Sequence, residues 1–270
     1  QLYGSAAALR LAQAAEDLTV PLAVVAANAR AASQLAEEMR FFAPADLPIA
    51  VFPDWETLPY DLFSPHPDIV SKRLQLLAEL PDWKRGILVV DLETLLQRIA
   101  PTSYIQGHAF DIRVGAKLNL ERLRERLTGA GYAATSQVMA PGEFAVRGSL
   151  LDLYAMGSTS PFRIDLFDDE VESIRTFDPE TQRSGDKVEA VRLLPAREFP
   201  LTPDGIQGFR RRYRTRFEGD LTQMHVYRDV GEGIASAGIE YYLPLFFDGT
   251  SSLLNYLPDA TVLAIDTDLK

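Results

Sequence analysis

Four short apolar runs restrict most what this chain can fold into. Residues 20–25 (VPLAVV), 49–52 (IAVF), 86–91 (GILVVD) and 261–265 (TVLAI) are almost unbroken in apolar side chains. Runs of that length suit strands buried on both faces, as in a parallel sheet. Residues 30–42 and 68–80, which lie between the first three runs, carry apolar side chains at helical spacing. Strand and helix in alternation predict a parallel, doubly wound α/β layer. The fourth run comes far downstream and is expected to rejoin that first sheet, so that what lies between is an insertion into one α/β core.

The intervening sequence has a different period. Phe144 and Val146, then Phe162, Ile164 and Leu166, then Val171, Ser173 and Arg175 alternate between apolar and polar neighbours, with a turn at Met156-Gly157-Ser158. A period of two is that of half-buried antiparallel strands. Ahead of them come a strand at residues 110–114 and an amphipathic helix at 120–127, with Gly129 as its expected C-cap. After them comes a strand at 188–194. The expected organisation is therefore residues 1–109 as the first part of an α/β domain, 110–194 as an inserted α+β domain, and 195–270 as the remainder of the α/β module. That last part reads as helix, loop and a final strand.

With 270 residues, 47% of them hydrophobic, the chain can bury more than one core. A net charge of -11 argues against a chain whose main task is to wrap nucleic acid. Zero cysteines exclude disulfides and thiolate metal sites and are compatible with a cytoplasmic setting. No apolar run approaches the length of a membrane span. Gln1 is an improbable natural start, so the chain reads as a piece of something longer.

In α/β folds phosphate binds where a strand turns into a helix. The first such turn here is Gly4-Ser5-Ala6-Ala7-Ala8. Alanines stand where a P-loop needs Gly-Lys-Thr, and without the lysine and the hydroxyl only backbone N–H groups remain for a nucleotide. The last strand runs into Asp266-Thr267, where a helicase-type core needs a second carboxylate to position water. Thr267 cannot act as that base. Two matching losses point to a degenerate helicase or P-loop core, with no catalytic residues, no cofactor and no metal site expected.

Within the alternating region Arg147, Arg163 and Phe167 are the candidate binding residues. Arg163 and Phe167 sit four apart, so in a regular strand they share a face. An arginine fork beside an exposed phenylalanine suits a protein partner's surface. Spacing alone equally allows each of them to cover sheet edge or core.

Several stretches carry a family resemblance. Asp54-Trp55-Glu56-Thr57-Leu58-Pro59-Tyr60-Asp61, Phe63-Ser64-Pro65-His66, Arg147-Gly148-Ser149-Leu150-Leu151-Asp152, Asp165-Leu166-Phe167-Asp168-Asp169-Glu170, Ala237-Gly238-Ile239-Glu240-Tyr241 and Tyr256-Leu257-Pro258 look like the N-terminal region of the bacterial transcription-repair coupling factor (Mfd) family. That region is itself similar to UvrB, the damage-verifying subunit of nucleotide excision repair. The resemblance implies UvrB's architecture with its ATPase lost and its aromatic DNA-probing hairpin reduced to the loop at residues 60–67. It further implies that the inserted domain docks UvrA, the damage-recognising subunit, through Arg147, Arg163 and Phe167. In the family, the translocase motor and the contacts to RNA polymerase and DNA belong to other regions of the full-length protein.

Other features have plainer readings. Residues 210–216 (RRRYRTR) form the one basic cluster and read as a helix with arginines on several faces, solvated or bridging, the alternative being a nucleic-acid patch. Asp168-Asp169-Glu170 reads as a hairpin turn ahead of a cation site. Trp55 to Tyr60 reads as a packed loop. The rival to the docking reading is a helicase-like fragment with residual nucleotide or DNA affinity, against which the alanine triplet at Ala6-Ala7-Ala8 speaks.

Overall fold

The computed structural model describes residues 5–59 and 61–265. Along the chain the helices and strands begin with α1 (Ala6–Asp17), β1 (Leu22–Ala26), α2 (Ala29–Phe42), β2 (Ile49–Val51), α3 (Pro67–Glu79), β3 (Ile87–Asp91), α4 (Leu92–Leu96) and α5 (Thr102–His108). They continue with β4 (Phe110–Arg113), α6 (Leu120–Gly129), β5 (Ala133–Ala134), β6 (Glu143–Arg147), β7 (Leu150–Leu153), β8 (Phe162–Phe167), β9 (Glu170–Phe177), β10 (Ser184–Val188) and β11 (Ala190–Leu193). The last are α7 (Pro203–Arg216), α8 (His225–Gly231) and β12 (Val262–Ile265), with short 3-10 turns between them. These elements fall into two compact units, one of residues 1–54, 79–99 and 251–270, the other of residues 55–78 and 100–250.

The first unit holds a four-stranded sheet in the order β12-β1-β3-β2, with every pair parallel. All residues of β1 and β3 are buried, which is why both read as continuous apolar runs without alternation. The expected return of the last run to the first sheet is met: Leu22 lies opposite Ile87 on one side and Val262 on the other. Helix α2 is started by Asn28, whose side chain accepts from the Ala31 N–H at 2.9 Å. Its buried Ala32, Ala36 and Met39 follow helical spacing. Ala8, Ala12 and Ala15 do the same on α1. Small side chains on both helices let their backbones lie close over Leu22, Val24 and Val89.

The second unit contains a six-stranded sheet in the order β10-β9-β8-β7-β6-β5 and a separate antiparallel pair, β11-β4. Apart from the short parallel β5–β6 pair, the large sheet is antiparallel, as the alternation predicts. One row across it, Leu151, Ile164 and Ile174, is fully buried and forms its core side. Helix α6 runs two residues past its expected stop. Gly129 is helical, and the glycine in the left-handed region is Gly131, φ 94°. A Cβ on Gly131 would press on the Arg197 side chain at 3.0 Å, so that position demands glycine for space as well as for φ.

Residues 195 onward hold, besides the expected helix and final strand, a second helix, α8. Helices α7 and α8 pack through Phe209, Tyr213, Val226, Tyr227 and Val230 around a second core that includes Phe199 and Phe246. Beside it Arg73, wholly buried, donates to Glu198 at 2.6 Å, and the Trp55 indole N–H reaches the same carboxylate at 3.2 Å. Burying two charges costs several kcal/mol each by order of magnitude, and only such close pairing with extra hydrogen bonds makes it tolerable. Trp55 is thus packed in this loop, as expected.

Candidate partner-docking face

The site is built around a carboxylate that no solvent reaches. In β7 Asp152 sits between Leu151 and Leu153, whose side chains leave on the opposite face of the strand. Its direct cross-strand neighbours are Ala145 on β6 and Arg163 on β8. An unpaired carboxylate with 0% exposure would be costly, and two arginines meet it. Arg163 takes it bidentately, Nε to Oδ1 at 2.7 Å and Nη2 to Oδ2 at 3.0 Å. Arg147, on β6 at the other side of β7, donates Nη2 to Oδ2.

The two arginines differ in how much they leave for a partner. The Arg163 side chain is 17% exposed, lies over the Phe177 ring at 4.8 Å, and also donates Nη1 to the Gln182 carbonyl at 3.1 Å. Hydrogen bonding to Asp152 raises its pKa further above an already high value. The Arg147 side chain is 51% exposed. Phe167 ends β8 on the same face as Arg163 and is 71% exposed. Four residues of strand put it about 13 Å from Arg163.

The expectation that Arg163 and Phe167 share a face therefore agrees with the geometry. Arg147 is on β6, separated from the β8 of Arg163 by β7, and Asp152 bridges the gap. Sequence reading missed Asp152 as a site residue. Its one signal is a charged side chain between two leucines in an alternating strand.

The remaining sequence-based sites are placed as follows. Ser5 is the N-cap of α1 but makes no side-chain capping bond, and Ala6, Ala7 and Ala8 form its first turn with Ala8 wholly buried. Gly4, Asp266 and Thr267 lie outside the described residues. Asp168 and Asp169 form the two-residue turn between β8 and β9, Asp168 in the left-handed region at φ 53°. Among the described residues no group of three or more potential ligands is positioned for a metal. The basic run 210–216 is helical in α7, and its arginines diverge. Arg212 pairs with Asp248, Arg214 donates to the Tyr227 hydroxyl at 2.7 Å, and Arg210 lies over the Tyr227 ring at 4.9 Å.

A cavity of about 230 Å³ in the same unit, which the sequence did not signal, is lined by Ser64, Met156, Arg197 and Glu240 among others. Burial pushes the Glu240 carboxyl above its ordinary 4.5 and pulls the Arg197 guanidinium down. The Ser64 hydroxyl donates to Glu240 at 2.9 Å. Among the described residues no helix is long and apolar enough to cross a membrane.

Residues 110–199 match the family described as the UvrB interaction domain, a span that takes in both antiparallel sheets and the docking face. The fold and this match define the class: a UvrB-like α/β module that contains a parallel sheet and an antiparallel one. Over its length the chain is 44% identical to the transcription-repair-coupling factor of Escherichia coli, covering 100% of this chain and 23% of that protein. It is 45% identical to the Haemophilus influenzae factor over 92% of this chain and 21% of that one, and 26% identical to the Bacillus subtilis factor over 98% and 24%. The chain belongs to the transcription-repair-coupling factor family and corresponds to its N-terminal, UvrB-like region. It spans less than a quarter of the length of these relatives.

Proposed function

We propose that this chain is a non-catalytic docking module of a cytoplasmic coupling factor, recruiting UvrA to DNA damage where RNA polymerase has stalled. The docking domain is residues 110–194, and polymerase and DNA are engaged by other regions of the full-length protein. The observation that carries the reading is the combination on one sheet face of a half-exposed Arg147, an Arg163 fixed by a buried carboxylate, and a largely exposed Phe167. An exposed phenyl ring on the same face as oriented guanidinium groups has the make-up of an interface: apolar area for a notch, directed donors for an acceptor. Among the described residues no such arrangement of polar groups is found at the start of α1, where Ala8 is spent on helix packing. This supports a module without ATPase activity.

The test is an equilibrium titration of UvrA against the chain and its Phe167→Ala variant. Truncating an anchor costs about 2 kcal/mol or more of binding, roughly thirtyfold in affinity. Because Phe167 is mostly in solvent, the variant's melting curve should overlay the parent's. Unchanged UvrA affinity in this variant would remove the basis for the reading.

A further inference from the structure

The docking face continues past Arg163 in a way the sequence did not reveal. The strand register sets Asp152, Arg163, Arg175 and Lys187 directly opposite one another across β7, β8, β9 and β10. Directly opposed residues project to one face, so this is a single row of side chains, with strands spaced by about 4.8 Å. Asp152 and Arg163 neutralise each other. Arg175 and Lys187 remain, and among the described residues neither side chain has an ion pair or hydrogen bond. Lys187 is exposed and Arg175 half-buried, on the outermost strands of that side of the sheet.

Two unpaired cations facing each other across a strand pair destabilise the sheet. They do so in a chain whose net charge is -11, where carboxylates are plentiful. Of the carboxylates on this face, Asp152 is taken by Arg163 and Arg147, Glu143 on the far strand accepts from the Met139 and Ala140 N–H groups, and Asp165 and Glu170 belong to the hairpin-tip end, where Asp165 accepts from Ser173 at 3.2 Å. Local folding thus leaves an uncompensated positive corner next to the docking residues.

We infer that Arg175 and Lys187 extend the docking face as a receptor for an acidic segment of the protein partner, which would cross β8, β9 and β10 while Phe167 fills an apolar notch. The inference rests on the UvrA-docking reading and specifies the chemistry of the partner surface. A protein segment fits better than a nucleic acid. The exposed phenyl ring seeks apolar contact, and a polyanion following the sheet would meet Asp165, Glu170 and the acidic remainder of the chain.

The experiment titrates UvrA against the whole chain carrying Arg175→Glu, Lys187→Glu, Arg175→Gln or Phe167→Ala, at low and high salt, with a melting curve for each. Lys187→Glu creates an opposite-charge pair with Arg175, so its melting midpoint should hold or rise. The two reversals should nevertheless weaken UvrA binding about tenfold. Arg175→Gln should weaken it less, and the gap from the parent should shrink as salt rises, since exposed charges are screened. If Phe167→Ala loses UvrA while Arg175 and Lys187 variants bind like the parent, the charged row is not part of the interface and the docking reading stands. If Phe167→Ala also binds like the parent, the docking reading itself fails. Salt-sensitive binding of duplex DNA by the parent, abolished by the reversals without effect on UvrA, would reassign the row to nucleic acid and overturn the inference.

Discussion

Arg163→Ala should reveal that one of the proposed docking residues is also structural. The side chain is 17% exposed and makes two charge-assisted hydrogen bonds, at 2.7 and 3.0 Å, to a carboxylate with 0% exposure. Hydrogen bonds to charged groups contribute about 1.5–3 kcal/mol each when their partner would otherwise be buried unsatisfied. Arg147 still reaches Oδ2, and the vacated space admits water, so the net loss is smaller than the sum of both bonds. The expected cost is about 2–3 kcal/mol. Arg147→Ala removes one bond from a side chain that is 51% exposed and should cost about 0–1 kcal/mol. The assay is urea unfolding of both variants, followed by intrinsic fluorescence, with Asp152→Asn in the Arg163→Ala background. Removing the stranded charge should recover part of the lost stability, since the penalty belongs to the carboxylate and not to missing contact area. Arg163→Ala unfolding within about 0.5 kcal/mol of the parent, or no recovery in the double variant, would refute this account of the pair. The same data guard the binding experiment, because loss of UvrA by this variant has meaning only under conditions where it is folded.

Two other outcomes are expected. A fluorescent ATP analogue should show no magnesium-dependent binding in the low micromolar range, because the first turn of α1 offers alanines where a lysine and a hydroxyl would hold phosphate. For Glu240, burial raises the folded pKa above 4.5, so its stabilising contribution is full below that value and is lost as pH rises through the folded one. Glu240→Gln should therefore gain stability relative to the parent as pH is raised from about 4.5 toward neutrality, read as urea midpoints across a pH series. A gap that stays constant or narrows would show that the charged form is not penalised.

The parallel layer was legible in the sequence because strands buried on both faces need unbroken apolar runs, which β1 and β3 are, while the flanking β2 and β12 lie on apolar runs although they are less buried. The return of β12 was legible from its apolar run, and it pairs with β1 at the sheet edge, where most of its side chains stay exposed. Helix α6 was read correctly as an element but not at its end. Both Gly129 and Gly131 satisfy local preferences, and the close approach of Arg197 favours the second. The alternation in β6 and β8 told which residues share a face, because the period of two is local; in β9 the expected row Val171, Ser173 and Arg175 is broken by a bulge, which turns Val171 to the core side with Ile174 and leaves Ser173 and Arg175 on the other. It did not tell what they face. The pairing of Asp152 with Arg163, the like-charged row to Lys187, and the Arg73–Glu198 pair 125 residues apart depend on strand register and on packing between distant segments. Charge compensation in a fold is set by which side chains tertiary contacts bring within hydrogen-bonding reach, a distance of about 3 Å that sequence spacing does not encode. That is why the sequence left Arg163 open between a binding residue and one covering sheet edge or core, and why only the folded sheet shows it held from beneath by Asp152.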